Sequence, residues 1–152
     1  MGLPEIEAGE EYHGDMKIYN HAANYLSQTN IQRIKYIREH GGSRTSLPEG
    51  LVLTCHKNHK GHTDVYGIID LDKPAPTITG GCMTFSKGRF GHPTQNRALS
   101  AREAARLQTF RDNYRFFGNK GQIAQQIGNA VPVELAKASG EYFYDLWKAL
   151  ME

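Results

Sequence analysis

The apolar positions Ile31, Ile34 and Ile37 recur at intervals of three, which sets one face of a helix over residues 31–38. Gly41 and Gly42 close it, because a helix end commonly passes through a left-handed position that glycine adopts without a Cβ penalty. Residues 22–25 read as a shorter helical stretch. The period then changes. Leu51 to Thr54, Val65 to Ile69 and Thr77 to Thr79 are short β-prone runs, separated by polar turns carrying glycine or proline. They predict a small, irregular, mainly antiparallel sheet. Residues 80–93 combine several glycines with Lys87 and Arg89 and read as a flexible basic loop.

Helical signals return after that loop. Ser100 and Glu103 have the spacing of a capping box, in which each side chain satisfies an orphan amide, so a helix is expected over residues 101–109. Gly128-Asn129 ends a further short helix. Pro132 loses no hydrogen bond in a first helical turn, and a long helix is expected from there to residue 150. Leu135, Ala138, Tyr142, Leu146 and Trp147 would form its apolar stripe. The predicted fold class is α+β: the small sheet with flanking helices, then a long C-terminal helix. The chain divides into residues 1–110 and 111–152.

A chain of 152 residues can bury one domain core. Its net charge of +2 marks no partner by itself, so the distribution has to be read. Glu5, Glu7, Glu10, Glu11 and Asp15 open the chain without a lysine or arginine, whereas Arg33, Lys35, Arg38, Arg44, Lys57, Lys60, Lys87, Arg89 and Arg97 gather through the centre. A basic centre suits phosphate contact, although an ordinary mixed surface would look the same. The sequence contains neither a run of eighteen apolar residues nor a signal-peptide pattern, so a soluble, cytoplasmic protein with no membrane partner is expected.

Cys55 and Cys82 cannot build a disulfide framework and are expected to be reduced. Cys55, His56, His59 and His62 could in principle hold zinc, but four ligands in one short loop seldom give a tetrahedral site. A basic loop is the better reading, and no metal site is assigned.

Two blocks carry a specific resemblance. Residues 97–110, Arg-Ala-Leu-Ser-Ala-Arg-Glu-Ala-Ala-Arg-Leu-Gln-Thr-Phe, and residues 126–132, Gln-Ile-Gly-Asn-Ala-Val-Pro, resemble the ninth and tenth motifs of DNA cytosine-5 methyltransferases in order and spacing. Upstream, Asn20-His21, Val65-Tyr-Gly67, Asp72 to Thr79 and Ser86 to Pro93 resemble the target-recognition region of that family. The resemblance implies a groove reader facing double-stranded DNA, with Thr77-Ile78 as the family's Thr-Leu or Thr-Ile dipeptide. Lys87, Arg89 and Arg97 are further candidate DNA contacts. Arg97, Arg102, Glu103, Arg106 and Gln108 match positions that mainly hold the recognition region together; Arg102, Glu103 and Arg106 could also simply pair along the helix. Asn129, Ala130 and Val131 match positions lining the S-adenosylmethionine pocket, with Gly128 permitting a close backbone approach.

Nothing in the chain resembles the family's Gly-rich cofactor turn, its Pro-Cys nucleophile or its Glu-Asn-Val segment. Neither cysteine follows a proline, so no catalytic residue is assigned. The length is under half of what a complete catalytic unit requires, and a Rossmann-like catalytic domain is not expected. The implied function is the recognition half of a sequence-specific DNA cytosine-5 methyltransferase, inactive alone. S-adenosylmethionine would bind only with a catalytic half supplied in trans, and the isolated chain could form a homodimer through its final helix. A natural subunit, a remnant of a broken gene and an excised fragment are all compatible origins. The alternatives are a stand-alone, non-catalytic DNA-binding module and a purely structural remnant. Two departures bear on recognition: Ile68 stands where arginine usually follows Tyr-Gly, and Arg111 where proline usually follows Phe.

Overall fold

In the computed structural model, the described residues are 2–14, 17–57, 61 and 63–151. Among these residues four α-helices form in chain order: α1 (Gln28–Glu39), α2 (Ala101–Leu107), α3 (Lys120–Gly128) and α4 (Val133–Met151). Short 3-10 turns lie at Arg44–Ser46, Glu49–Leu51, Thr54–His56 and Phe85–Lys87.

The expected sheet does not form. Among the described residues, strand-type pairing is confined to isolated bridges: Glu11 with Ala22, Ile68 with Gly91, and Gly91 with Ala98. A ladder needs consecutive pairs on one neighbour, and the β-prone runs lack one. The amides of Tyr66, Ile68 and Ile69 go to three separate segments, through the carbonyls of Phe85, Gly42 and Gly91 at 3.1, 2.9 and 3.0 Å. Leu51 ends one 3-10 turn and Thr54 begins another instead of extending. Thr77 to Thr79 takes no regular secondary structure, with Pro74 and Pro76 removing two donors just before it. The α+β expectation is therefore replaced by helices joined by closely packed irregular chain.

Residues 22–25 are not helical. Four residues cannot offset the cost of a helical nucleus, and tertiary partners take their backbone: Ala23 N–H donates to Glu10 O at 2.9 Å and Ala22 O accepts from Ala101 N–H at 3.1 Å. The glycine-rich stretch 80–93 is also more than a connector, since Cys82, Met83, Phe85 and Phe90 are buried within it.

The helical expectations fare better. Ser27 caps α1, and Ile34 and Ile37 on its inner face are wholly buried. Each contributes about 1.5–3 kcal/mol by leaving water. The capping box at Ser100 and Glu103 is present in both directions. α2 ends earlier than expected, in a Schellman turn: Thr109 N–H donates to Arg106 O and Phe110 N–H to Ala105 O, each at 2.9 Å. Thr109 occupies the left-handed position of that turn with φ of 62°, an uncommon conformation for a β-branched residue. Its Oγ1 accepts from Glu134 N–H at 3.4 Å, linking the end of α2 to the first turn of α4.

Two apolar clusters make the core. One joins α2 and α3 through Leu99, Ala104, Ile123 and Ile127. The other packs α1 against Leu47, Tyr66, Ile68 and Phe85. α4 belongs to neither. Pro132 O accepts from Ala136 N–H at 3.0 Å to start it, yet α4 buries no residue, and Leu135, Tyr142, Phe143, Leu146, Trp147 and Leu150 are all exposed.

Candidate functional site

The end of α3 meets the segment 77–80 backbone to backbone. A Cβ at Gly128 would lie 2.1 Å from the carbonyl carbon of Thr79 and 2.2 Å from the nitrogen of Gly80, distances that no side chain tolerates. Glycine is thus required there by contact, not by its dihedral angles. Gln108, at the end of α2, fixes the same junction: its Nε2 donates to Ile127 O at 3.0 Å and to Ala130 O at 3.2 Å. The resulting hollow, of about 330 Å³, is lined by Thr77, Ile78, Gln108, Gly128, Ala130 and Pro132. It brings the candidate DNA-contacting dipeptide beside the candidate cofactor segment, although about fifty residues of chain separate them.

Within that junction the two members of the dipeptide differ. Thr77 is exposed, whereas the Ile78 side chain is buried in the α2–α3 core. Ile78 anchors the segment in the core and leaves Thr77 at the surface. Beyond Gly128, Asn129 is exposed, Ala130 half-buried and Val131 exposed. Asn129 lines an open hollow of about 490 Å³ together with Phe117, Gln122, Gln125 and Gln126. Exposed amides and an exposed aromatic ring give this hollow both polar and apolar character.

The candidate cations have different surroundings. Lys87 is exposed at the end of its 3-10 turn, its stem laid over Gly81, where a Cβ would come within 2.9 Å of it. Arg89 is half-buried and its Cγ would lie 2.5 Å from a Cβ at Gly67. Arg97 is 0% exposed. Its guanidinium makes a bidentate pair with Glu103 at 2.6 and 2.7 Å and also donates to the carbonyls of Ile6 and Ala98, each at 3.0 Å. Arg97 is an internal strut with no surface for DNA. A cation within a basic stretch of sequence carries no local mark of complete burial.

Its neighbours act similarly. Arg102 does not pair along α2; it donates to the carbonyls of Tyr19 and Arg111, at 2.7 and 2.8 Å, and to that of Tyr114. Arg106 pairs with Asp112 at 2.5 Å. Burial opposes charge on Glu103, but hydrogen bonds from Arg97 and His92 outweigh it and hold the carboxyl far below the usual carboxylate range. The imidazole tautomers follow from the partners. His92 Nδ1 accepts from the amides of Thr94 and Gln95, at 3.2 and 2.9 Å, so its Nε2–H faces Glu103 at 3.4 Å. His21 donates from Nε2 to Pro4 O at 2.8 Å and accepts from Ser100 Oγ at 2.9 Å, while burial lowers its pKa.

The departures find places too. Ile68 is a core residue, and Arg111 is exposed with its carbonyl accepting from Arg102. Cys82 is buried, its thiol pushed up to about 11 by desolvation, and Cys55 is exposed. His59, Lys60 and His62 of the candidate zinc loop lie outside the described residues, as does Asp15 of the acidic start.

A cleft of about 580 Å³, not anticipated from the sequence, runs between the Gly41-Gly42 turn and the Arg89 loop. Asp64, Asp70, Lys73 and Arg89 all line it. Charge type alone could not have assembled these residues, because they come from three separate turns.

The family model for C-5 cytosine-specific DNA methylases matches residues 5–144 of this chain. The chain is 44% identical to the type II methylase M.HgiDII of Herpetosiphon aurantiacus, over 86% of this chain and 37% of that protein. It is 36% identical to the type II methyltransferase M1.HphI of Haemophilus parahaemolyticus, over 91% of this chain and 33% of that protein. Likeness to DNA (cytosine-5)-methyltransferase 3 of Arabidopsis thaliana is 34%, over 91% of this chain and 12% of that protein. The chain therefore spans about a third or less of these relatives.

Proposed function

Because this chain belongs to the C-5 cytosine-specific DNA methylase family, we propose that it is the recognition-bearing C-terminal part of a sequence-specific DNA cytosine-5 methyltransferase, inactive alone. The observation that carries this reading is the Gly128 junction, which joins an exposed Thr77 to the segment 129–131 in one rigid corner. Thr77 offers its hydroxyl and Lys87 its positive charge to the DNA backbone. These contacts position the duplex; base edges in the major groove supply sequence.

S-adenosylmethionine supplies the methyl group when bound. The residues fit one side of such a site: the Asn129 amide and Ala130 give polar and close-contact surface, and Val131 an apolar one. Closure of the pocket falls to a catalytic half. Neither cysteine serves as the nucleophile, since Cys82 is buried with a thiol near 11 and neither follows proline. The exposed apolar stripe of α4 is the docking surface for that half, and in its absence the stripe pairs with a second copy of the chain.

The test is transfer of radiolabelled methyl groups to DNA. The chain alone should give none, and mixing it with the separately expressed remainder of the Herpetosiphon methylase should restore transfer. Transfer by the chain alone, above a blank, overturns the reading.

A further inference from the structure

Most charged groups around the cleft beside Gly67 are already committed. Arg38 shares with Arg89 a shielded Nε without a hydrogen bond, but its two terminal nitrogens are taken, one donating to Asn96 Oδ1 at 2.9 Å and the other to the carbonyl of Gln95. Lys73 pairs with Asp70 at 2.8 Å. Arg89 differs: its one polar contact among the described residues is a long ion pair of 3.5 Å from Nε to Asp64 Oδ1. That Nε is shielded from solvent and donates no hydrogen bond, a costly condition for a folded protein to keep without a use. Asp64, its partner in that long pair, has its side chain 76% exposed.

The cleft walls suit close approach. Gly41, Gly42 and Gly67 line it. Gly41 and Gly42 take positive φ of 89° and 75°, and a Cβ on either would meet no atom within 4 Å. An incoming ligand therefore reaches backbone there without a side chain intervening. Ile68 is buried in the cleft wall and brings no charge there, while Arg89 lines the same cleft.

Resting on the reading above, we propose that this cleft reads a G·C base pair from the major groove, Arg89 donating to guanine O6 and N7 and Asp64 accepting from the cytosine amino group. A phosphate fits less well, because it would have to sit beside the carboxylates of Asp64 and Asp70. The G·C edge instead presents two adjacent acceptors next to a donor, the complement of a guanidinium beside a carboxylate.

The experiment selects bound duplexes from a random pool at low salt, using the chain itself. The wild-type selection should contain an invariant G·C pair, at which 7-deazaguanine, lacking N7, weakens binding roughly tenfold. Arg89→Lys keeps the charge but not the planar fork, and should retain binding to mixed DNA while losing preference at that pair. Asp64→Asn should relax the same position. If a selected motif keeps its G·C preference in Arg89→Lys, or if the loss is uniform across sequences, the assignment is overturned while the broader recognition role stands. Absence of any DNA binding by the wild type overturns both.

Discussion

Asn20 and Phe116 exchange two hydrogen bonds across 96 positions of sequence: Asn20 Nδ2 donates to Phe116 O at 3.1 Å, and Phe116 N–H donates to Asn20 Oδ1 at 2.9 Å. The side-chain amide replaces a peptide group, as though one rung of a β-ladder had been built from a side chain. Asn20 sits at φ of 59°, a conformation its type tolerates better than most. Asn20→Asp removes the donor while keeping the size, leaving the carbonyl of Phe116 facing a carboxylate. We expect a loss of about 1–3 kcal/mol, read as a lower urea midpoint with unchanged slope.

Gly128→Ala puts a methyl group into the backbone of Thr79 and Gly80. Helix propensity alone favours alanine, so the sign of the effect separates local from tertiary control. We expect destabilisation of about 1–3 kcal/mol, and stabilisation in thermal melts would show that the junction yields easily.

Acid should unfold the protein in two stages. His21 has its pKa lowered below 6.5 by burial, so its stabilising share is complete above that value and is lost as pH falls through the folded pKa. Glu103 is also lowered, from 4.5, so its share is complete above 4.5 and drains away at still lower pH. Urea unfolding across this range should show stability falling with acid. Glu103→Gln should cost about 3–5 kcal/mol at neutral pH by leaving Arg97 buried without its counter-ion, and should flatten the lower stage.

Lys87 is exposed on the loop beside the cleft. Lys87→Ala should weaken DNA binding about equally for all sequences and reduce the salt slope by about one. Filter binding over a salt series measures both, and an unchanged slope removes Lys87 from the phosphate contacts.

The apolar stripe of α4 predicts self-association of the isolated chain. Burying Leu146 and Trp147 is worth several kcal/mol at about 25 cal/mol per Å², part of which association entropy cancels. Sedimentation should show a dimer that the double change Leu146→Glu with Trp147→Glu converts to a monomer. A monomeric wild type at high concentration would end this expectation.

Where the information lay within a turn or two of chain, the sequence was enough. The Ser100–Glu103 box, the isoleucine period of α1, the Pro132 start and the stripe of α4 all depend on neighbours three or four residues away. The two motif blocks likewise named the family. Tertiary structure decided the rest, because those features depend on partners remote in sequence. The β-prone run at residues 65–69 formed no strand, since its amides found three different acceptors before any one neighbour could supply a ladder. Arg97 looked like a surface cation until Glu103 and two carbonyls enclosed it. Gly128 could be read as permissive, but that it must be glycine followed only when Thr79 arrived against it. Arg89 and Asp64 became a candidate pair through the fold that set two turns across one cleft. Caps and periodicity are local free-energy terms, whereas burial, close approach and charge pairing belong to surfaces that exist only once distant segments have met.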